Sequence, residues 1–183
     1  MEHKIFNKKH GFTIIEVAIA LFILTVAIFG VYGAFSVMVI TTAQMTDRFT
    51  ASYLAQEGIE IVRNMRDANW LKDPAVDWKT GIADASVNCT DVGCKADYRS
   101  GNSLTAYGDS YLNIDNANGF YNYNTGAKTK FKRKIVIDTL FKSDGIYAIK
   151  VIVTVYWDEK KTLLNPTGKS GSITAEDYLY NWY

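Results

Sequence analysis

The chain has 183 residues, of which 48% are hydrophobic, and its 20 basic and 19 acidic side chains nearly cancel. This length accommodates one membrane helix and one modest globular head, but not two well-filled domains. The near-neutral charge argues against a dedicated nucleic-acid binder or a strongly basic membrane-surface protein.

A short basic stub followed by a long apolar run is the first distinctive feature along the chain. Lys4, Lys8 and Lys9 precede Gly11, and the run Val17–Ile40 carries no charge. At about 1.5 Å per residue the run spans roughly 36 Å as a helix, enough to cross a hydrocarbon core of about 30 Å. The lysines before it predict a cytoplasmic N-terminus, with the bulk of the chain outside.

Glu16 is the unusual residue at the start of this helix. An ionised side chain in a membrane segment costs on the order of 3 kcal/mol, so a functional partner is expected. A cut after Gly11 would give Phe12 a protonated α-amino group one helical turn before Glu16, and a neighbouring copy could offer the same amine. One isolated chain is then expected to leave Glu16 without a partner. The alternative is a carboxylate snorkelling at the bilayer surface of an ordinary signal-anchor helix.

The segment Gly11-Phe12-Thr13-Ile14-Ile15-Glu16, between the basic leader and the apolar run, resembles the N-terminal signature of type IV pilins and of the pilin-like subunits of type II secretion systems. The resemblance implies a class III leader, residues 1–11, that a prepilin peptidase removes by cutting between Gly11 and Phe12. It also implies N-methylation of Phe12 and pairing of Glu16 with the amine of an adjacent subunit during assembly.

The same resemblance implies a fold and a function. The expected fold is α+β, the type IV pilin fold, in which a long N-terminal helical spine packs against a small C-terminal antiparallel sheet. The expected function is a structural subunit of a type IV pilus, a single-pass inner-membrane protein surrounded by lipid before assembly and extracellular afterwards. Its expected partners are further copies of itself, the prepilin peptidase and the pilus assembly platform. Adhesion, motility, DNA uptake and surface sensing are tasks of such fimbriae, and no residue selects among them.

Three alternatives stay open at this point. The chain resembles minor pilins and type II secretion pseudopilins through the same segment. A protein of another class, a membrane-anchored binding protein or enzyme that never polymerises, would retain its leader. A cleaved secretory signal is disfavoured, because the apolar run is too long and no Ala-x-Ala-like site closes it.

Helical periodicity continues beyond the apolar run. Residues 41–66 contain no proline, and small or apolar residues recur there at helical spacing: Ala51, Leu54, Ala55, Gly58, Ile61, Val62 and Met65. The pattern predicts a transmembrane or filament-core helix over residues 12–40 and its amphipathic continuation over residues 41–66. Gly30 and Gly33 each cost about 1 kcal/mol in a helix interior. By resemblance to pilins that unwind near this position, we expect a weak point there, although this chain lacks their proline.

Residues 67–128 are rich in Asn, Asp, Gly, Ser and Tyr and predict a variable connecting region anchored by Trp70 and Trp78. Its tyrosines either make contacts between subunits or simply cover the sheet: Tyr98, Tyr107, Tyr111, Tyr121 and Tyr123. Oxygen ligands cluster at Asn113, Asp115, Asn116 and Asn118, but their spacing fits no known calcium loop.

Cys89 and Cys94 are the only cysteines. The predicted topology places them outside the cytoplasm, where a disulfide closing a short loop is favoured. A metal site is the competing interpretation, but the only histidines, His3 and His10, lie in the leader.

A mature chain beginning at Phe12 would contain no histidine, which excludes the commonest catalytic arrangements. We therefore expect no enzyme, catalytic residue, cofactor or metal. Gly168-Lys169-Ser170 resembles the end of a phosphate-binding loop, but Leu163 stands where the motif needs glycine. No basic stripe with interleaved aromatics singles out a specific nucleic-acid partner.

Residues 129–183 predict an antiparallel β-sheet. Segments 131–141 and 146–157 flank Lys142-Ser143-Asp144-Gly145, a turn-rich break typical of a β-hairpin. Alternation places one face of the second strand on the helix: Tyr147, Ile149, Val151, Val153, Val155 and Trp157. A third strand is predicted over residues 172–182.

Overall fold

A computed structural model of the chain describes residues 11–72, 76–83, 88–143, 145–159, 168 and 170–181. These residues form one α-helix followed by seven β-strands, an α+β arrangement that is consistent with the pilin fold. The chain divides into two compact units, Met1–Ala43 and Gln44–Tyr183.

The helix α1 runs from Ile14 to Lys72 and so ends later than the predicted position 66. Contacts with the following segment hold its last turns. The side-chain amide of Asn69 donates hydrogen bonds to the carbonyls of Trp78 and Thr80, at 3.1 and 2.8 Å. The guanidinium of Arg66 lies 4.6 Å from the centre of the Trp70 ring.

The strands form one sheet in which every pair is antiparallel. Their bounds are β1 Cys94–Lys95, β2 Thr105–Ala106, β3 Tyr111–Ile114, β4 Tyr121–Asn122, β5 Ala127–Lys142, β6 Gly145–Asp158 and β7 Ser170–Tyr180. The long strand β5 is central, with β6 along one side and β1 and β3 along the other. β7 extends the sheet beyond β6.

The predicted hairpin of β5 and β6 is present, with Ile135 opposite Val153. The third strand lies at residues 170–180. Two residues of these predicted elements lie outside the described residues: Asp144 of the turn and Trp182 at the end of the third strand. The region predicted as connecting, 67–128, differs most, because it contributes the short strands β1 to β4. These strands form by pairing with β5 or with each other, which a local sequence pattern does not reveal.

The hydrophobic core of the second unit lies between α1 and one face of the sheet. A Cβ placed on Gly58 of α1 would come within 2.8 Å of Val153 Cγ1, so the glycine permits close approach of helix and strand. Tyr147, predicted on the packed face, is 42% exposed; it lies beside the register shift between Leu140 and Phe141. The buried core residues of α1 and β6 are Ala51, Leu54, Ala55, Ile59, Val62, Met65, Ala148, Ile149, Val151, Val153, Val155 and Trp157.

Candidate functional site

The Gly11–Phe12 junction is open in the structure. Residues 11–13 precede the helix without regular secondary structure, and Phe12 is 88% exposed. A peptide bond in such a segment is accessible to a peptidase, whereas a bond inside a helix must first unwind. The remainder of the predicted leader, residues 1–10, lies outside the described residues.

Glu16 has a partner within its own chain, so the expectation of an unpartnered carboxylate is wrong. The backbone N–H and the hydroxyl of Thr13 both donate to Glu16 Oε2, each at 2.9 Å. The backbone N–H of Glu16 donates in return to Thr13 Oγ1 at 3.4 Å. Thr13 immediately precedes α1, so this reciprocal arrangement is a capping box that satisfies free donors of the first helical turn.

The capping box leaves Glu16 Oε1 without a hydrogen-bond donor among the described residues. One carboxylate oxygen is therefore held by the cap, while the other belongs to an exposed side chain and is available to a partner. A cation approaching this helix end would meet an oriented carboxylate, and charge-assisted hydrogen bonds of this kind are among the stronger ones in proteins.

The first turns of α1 expose a continuous apolar surface. Large hydrophobic side chains from Phe12 to Val39 are exposed, including Phe22 at 69% and Phe29 at 75%. By length and composition, α1 is apolar enough to cross a membrane. An exposed apolar surface of this size requires cover, by lipid or by other chains.

The few polar side chains in this apolar part bond to the helix itself. The hydroxyl of Thr25 donates to the Phe22 carbonyl at 2.8 Å, and that of Ser36 donates to the Tyr32 carbonyl at 3.0 Å. Neither hydroxyl then needs water, which suits an apolar environment.

Gly30 and Gly33, the predicted weak point, lie within the continuous helix α1. A Cβ added at either position would meet no atom within 4 Å. The glycines are therefore not required for packing within the single chain. Local unwinding at this point stays a prediction for the assembled state.

Cys89 and Cys94 form a disulfide, and both residues are buried. Cys94 pairs with Ile135 of β5, and the N–H of Ile137 donates to the carbonyl of Cys89 at 3.2 Å. The short loop is thus fixed to the central strand at both of its ends.

Arg133 of β5 is fully buried and joins three parts of the second unit. Its guanidinium donates to the carbonyl of Leu54 at 3.0 Å and to Glu57 Oε2 at 2.9 Å, both on α1. It also donates to the carbonyl of Ala96, just after the cysteine loop, at 2.6 Å. The sequence pattern did not identify this residue, because buried arginine at an apolar strand position is rare.

Four lysines recur at every second position along β5 and form a second feature that the sequence pattern alone did not identify. We call Lys128, Lys130, Lys132 and Lys134 the lysine row. The lysines recur at every second position of the sequence, but the side chains that surround them come from segments distant in the sequence. The ammonium groups of Lys128 and Lys132 lie 4.1 and 4.5 Å from the centre of the Tyr111 ring.

Asp109 supplies a carboxylate to the row. Lys132 Nζ lies 2.6 Å from Asp109 Oδ2, and the hydroxyl of Tyr107 donates to Asp109 Oδ1 at 3.1 Å. The hydrogen bond from Lys132 lowers the pKa of Asp109, and the same bond raises the pKa of Lys132. Burial and the bond to Asp109 raise the pKa of Tyr107, so its phenol stays protonated and remains a donor.

The predicted tyrosines of the connecting region mostly cover or support the head. The hydroxyl of Tyr123 donates to the carbonyl of Arg133 at 3.1 Å, and Tyr98 packs edge-on against Phe120. Tyr111 lies between two lysines, Tyr107 bonds to Asp109 and Tyr121 packs against the core, so all five have contacts within the chain.

No group of three or more potential metal ligands occurs among the described residues. Asp115 is the carboxylate in the oxygen-rich cluster considered above as a calcium site, and it accepts a hydrogen bond from Arg99 at 3.0 Å. A guanidinium therefore already occupies the place of a cation. Of the triplet at residues 168–170, Lys169 lies outside the described residues, and the hydroxyl of Ser170 donates to Asp158 at 3.2 Å.

Residues 6–32 match the prokaryotic N-terminal methylation motif. The match covers part of the leader, the Gly11–Phe12 junction, Thr13, Glu16 and about the first two thirds of the apolar run. No curated protein and no solved structure matches the chain.

Proposed function

We propose that this chain, which carries a type IV prepilin leader and methylation motif, is a structural subunit that polymerises into a type IV pilus. The observation that carries the proposal is the oriented carboxylate of Glu16 at the start of an exposed apolar helix, in register with the Gly11–Phe12 junction. We assign the chain no catalytic residue, cofactor or metal.

Processing comes first in this proposal. A prepilin peptidase cuts the open junction after Gly11 and methylates the new amine of Phe12. Before and after the cut the apolar part of α1 lies in the inner membrane, with the N-terminus in the cytoplasm. The lysines of the leader support this orientation.

Assembly then replaces lipid by neighbouring helices around the apolar surface. The free oxygen of Glu16 accepts the Phe12 amine of an adjacent subunit as the assembly platform adds each copy. This pairing sets the axial register, because a charge left unpaired among packed apolar helices is strongly destabilising. Once extruded, the same subunits form an extracellular filament.

The mature N-terminus tests processing directly. Mass spectrometry of the chain purified from its own membrane is expected to find N-methylated Phe12 as the first residue. Retained Met1 would instead identify a membrane-anchored protein of another class, and a cut beyond the apolar run would identify a protein released from its anchor.

Glu16→Ala tests assembly. The variant should insert and be processed normally, but filament yield should fall about a hundredfold, because an unpaired amine among packed helices costs about 3 kcal/mol or more. Electron microscopy of sheared surface material measures the yield.

Thr13→Val is the matched control. It removes the hydroxyl of the capping box but keeps the carboxylate of Glu16, so filaments should form at near-normal yield. An equal loss in both variants would attribute the effect to the helix cap instead of intersubunit pairing. A methylated N-terminus without abundant filaments would point to a minor pilin or a secretion pseudopilin.

A further inference from the structure

We propose that an exposed patch on one flank of α1 binds an acidic groove on the other flank of α1 in a neighbouring copy of the chain. The patch consists of Met45, Arg48 and Phe49. Patch and groove both belong to the second unit, Gln44–Tyr183. The inference rests on the proposed function, because the occupant of the groove is a second copy.

The patch consists of side chains that the single chain leaves uncovered. Met45 and Phe49 are 56% and 66% exposed, although they lie beyond the apolar run that ends at Ile40. Arg48 is exposed beside them and forms no ion pair within the part of the chain that the structure describes. Methionine, arginine and aromatic residues are enriched in protein interfaces. The patch therefore has the composition of a contact surface.

The groove lies between α1 and the loop that follows β1. It is a concavity of about 270 Å³, lined by Ile61 and Met65 from the helix and by Tyr98 from the loop. Glu57 and Glu60 also line it. Each of these glutamates has one carboxylate oxygen bonded to an arginine of its own chain, and the other has no donor among the described residues. The groove can therefore accept an apolar side chain and a cation together.

The charges of the two surfaces are complementary. The carboxylates of Glu57, Glu60 and Asp97 line the groove, and no lysine or arginine of the described residues does. The patch carries the unpaired cation of Arg48. Opposite charges across an interface steer association and fix its register. Because one chain carries both surfaces, a second copy supplies the complement to each.

The two surfaces lie on different flanks of the same helix. At about 100° per residue, the patch and the helix residues of the groove are centred roughly 140° apart around the axis of α1. One copy can therefore bind a second copy through its patch and a third through its groove. Such a heterologous contact builds rings or open filaments instead of closed pairs.

The contact also fixes an axial offset between neighbouring copies. Arg48 precedes Glu60 by 12 residues, so parallel helices are displaced by about 18 Å when these two side chains meet. Phe49 and Ile61 have the same separation in the sequence. The apolar and the charged parts of the contact therefore come into register together.

The patch is too small to hold two copies together alone. Specific interfaces bury about 800 Å² on each partner, which three side chains do not provide. The contact therefore adds to the helix packing of the proposed filament and selects the register of the neighbour.

Cysteine cross-linking in sheared filaments tests the contact. The double variant Phe49→Cys, Ile61→Cys should give a ladder of dimers, trimers and larger products on non-reducing gels, because each copy carries both halves of the contact. Each single variant should stay monomeric. The native cysteines are buried in their own disulfide and should not contribute.

A charge exchange tests the same contact independently. Arg48→Glu and Glu60→Arg should each lower filament yield about tenfold, because each places like charges opposite one another. The combined variant restores opposite charges and should return the yield to within about threefold of the wild type.

Lys128→Glu is the matched control for charge reversal. Lys128 is exposed, has no ion-pair partner among the described residues and lies outside both surfaces. Its reversal should leave the filament yield near that of the wild type. A loss equal to that of Arg48→Glu would show a general effect of charge and overturn the contact.

The remaining outcomes separate this contact from the proposed function. Wild-type filaments without a ladder from the double cysteine variant would overturn the contact and leave the proposed function intact. Dimers from Phe49→Cys alone would show that the patch meets itself, and no recovery in the combined charge variant would assign Arg48 to another partner; either result overturns the contact. Absence of filaments from the wild type would overturn the proposed function and this contact with it.

Discussion

Arg133 shows how much one side chain can organise in the second unit. Its fully buried guanidinium binds α1 at Leu54 and Glu57 and the chain beyond the cysteine loop at Ala96. Its Nε has no partner among the described residues. A charge in this position is tolerated only because the other nitrogens are well bonded.

Arg133→Met should destabilise the head by about 3 kcal/mol, because it leaves buried carbonyls without their donor. Urea unfolding of the full-length protein in detergent, followed by tryptophan fluorescence, measures the loss.

Arg63→Met is the matched control for this comparison. Arg63 also joins α1 to the sheet, through Asp177 at 2.6 Å, but 37% of its side chain is exposed. Its removal should cost about 1 kcal/mol or less. Equal losses in the two variants would show that burial of the guanidinium is not the deciding factor.

At the scale of elements, the cysteine loop acts on the sheet through β5. Its two ends are held by the pairing of Cys94 with Ile135 and by the bond from Ile137 to Cys89. The disulfide spans a sequence separation of 5. So short a loop limits the entropy that the cross-link removes from the unfolded chain.

Replacing both cysteines by serine should therefore lower the free energy of unfolding by about 2 kcal/mol. Urea unfolding of the double variant, beside the wild type with and without reductant, measures this loss. The reduced wild type and the variant should agree. A variant as stable as the oxidised wild type would contradict the expectation.

The elements that sequence reasoning predicted are those with a strong internal pattern. The strands β5 and β6 alternate along their length, and α1 repeats with helical spacing, so their approximate positions could be predicted. The two-residue strands β1, β2 and β4 have no such pattern, because each exists only through its pairing partner. The end of α1 was likewise misplaced, because Asn69 is fixed by carbonyls from a later segment.

The candidate site was predictable to a similar degree. Glu16 and the apolar run follow from residue order and charge, whereas the Gly11–Phe12 junction is implied by the resemblance to type IV pilins. The capping box also has a sequence signature, threonine followed three residues later by glutamate, although the cost of a charge in a membrane makes an intersubunit partner the first expectation for this carboxylate. Arg133 could not be found this way, since its partners lie far away in the sequence.

At the scale of the whole molecule, the apolar surface and the glycines within it make predictions about the assembled state. Gly30→Ala with Gly33→Ala adds methyl groups into open space and favours the helix by about 1 kcal/mol at each position. Membrane insertion and processing should be unchanged. If the proposed filament requires unwinding at this segment, filament yield should fall several-fold, as counted by electron microscopy of sheared material.

Ser36→Ala provides the control in the same part of α1. It removes only the hydroxyl bonded to the Tyr32 carbonyl and leaves both glycines in place. Filaments should then form normally. Normal filaments from the double alanine variant as well would rule out an unwinding step at the glycines.

The hydrogen bonds between Thr13 and Glu16 would let the proposed filament form without breaking a bond of the single chain. Both donors of Thr13 bind Oε2, each at 2.9 Å, and leave Oε1 to accept the amine of a neighbour. Docking would then add a charge-assisted hydrogen bond at no cost to the helix cap. A subunit that leaves the filament would keep its cap and its oriented carboxylate. The same subunits could therefore be withdrawn into the membrane and used again.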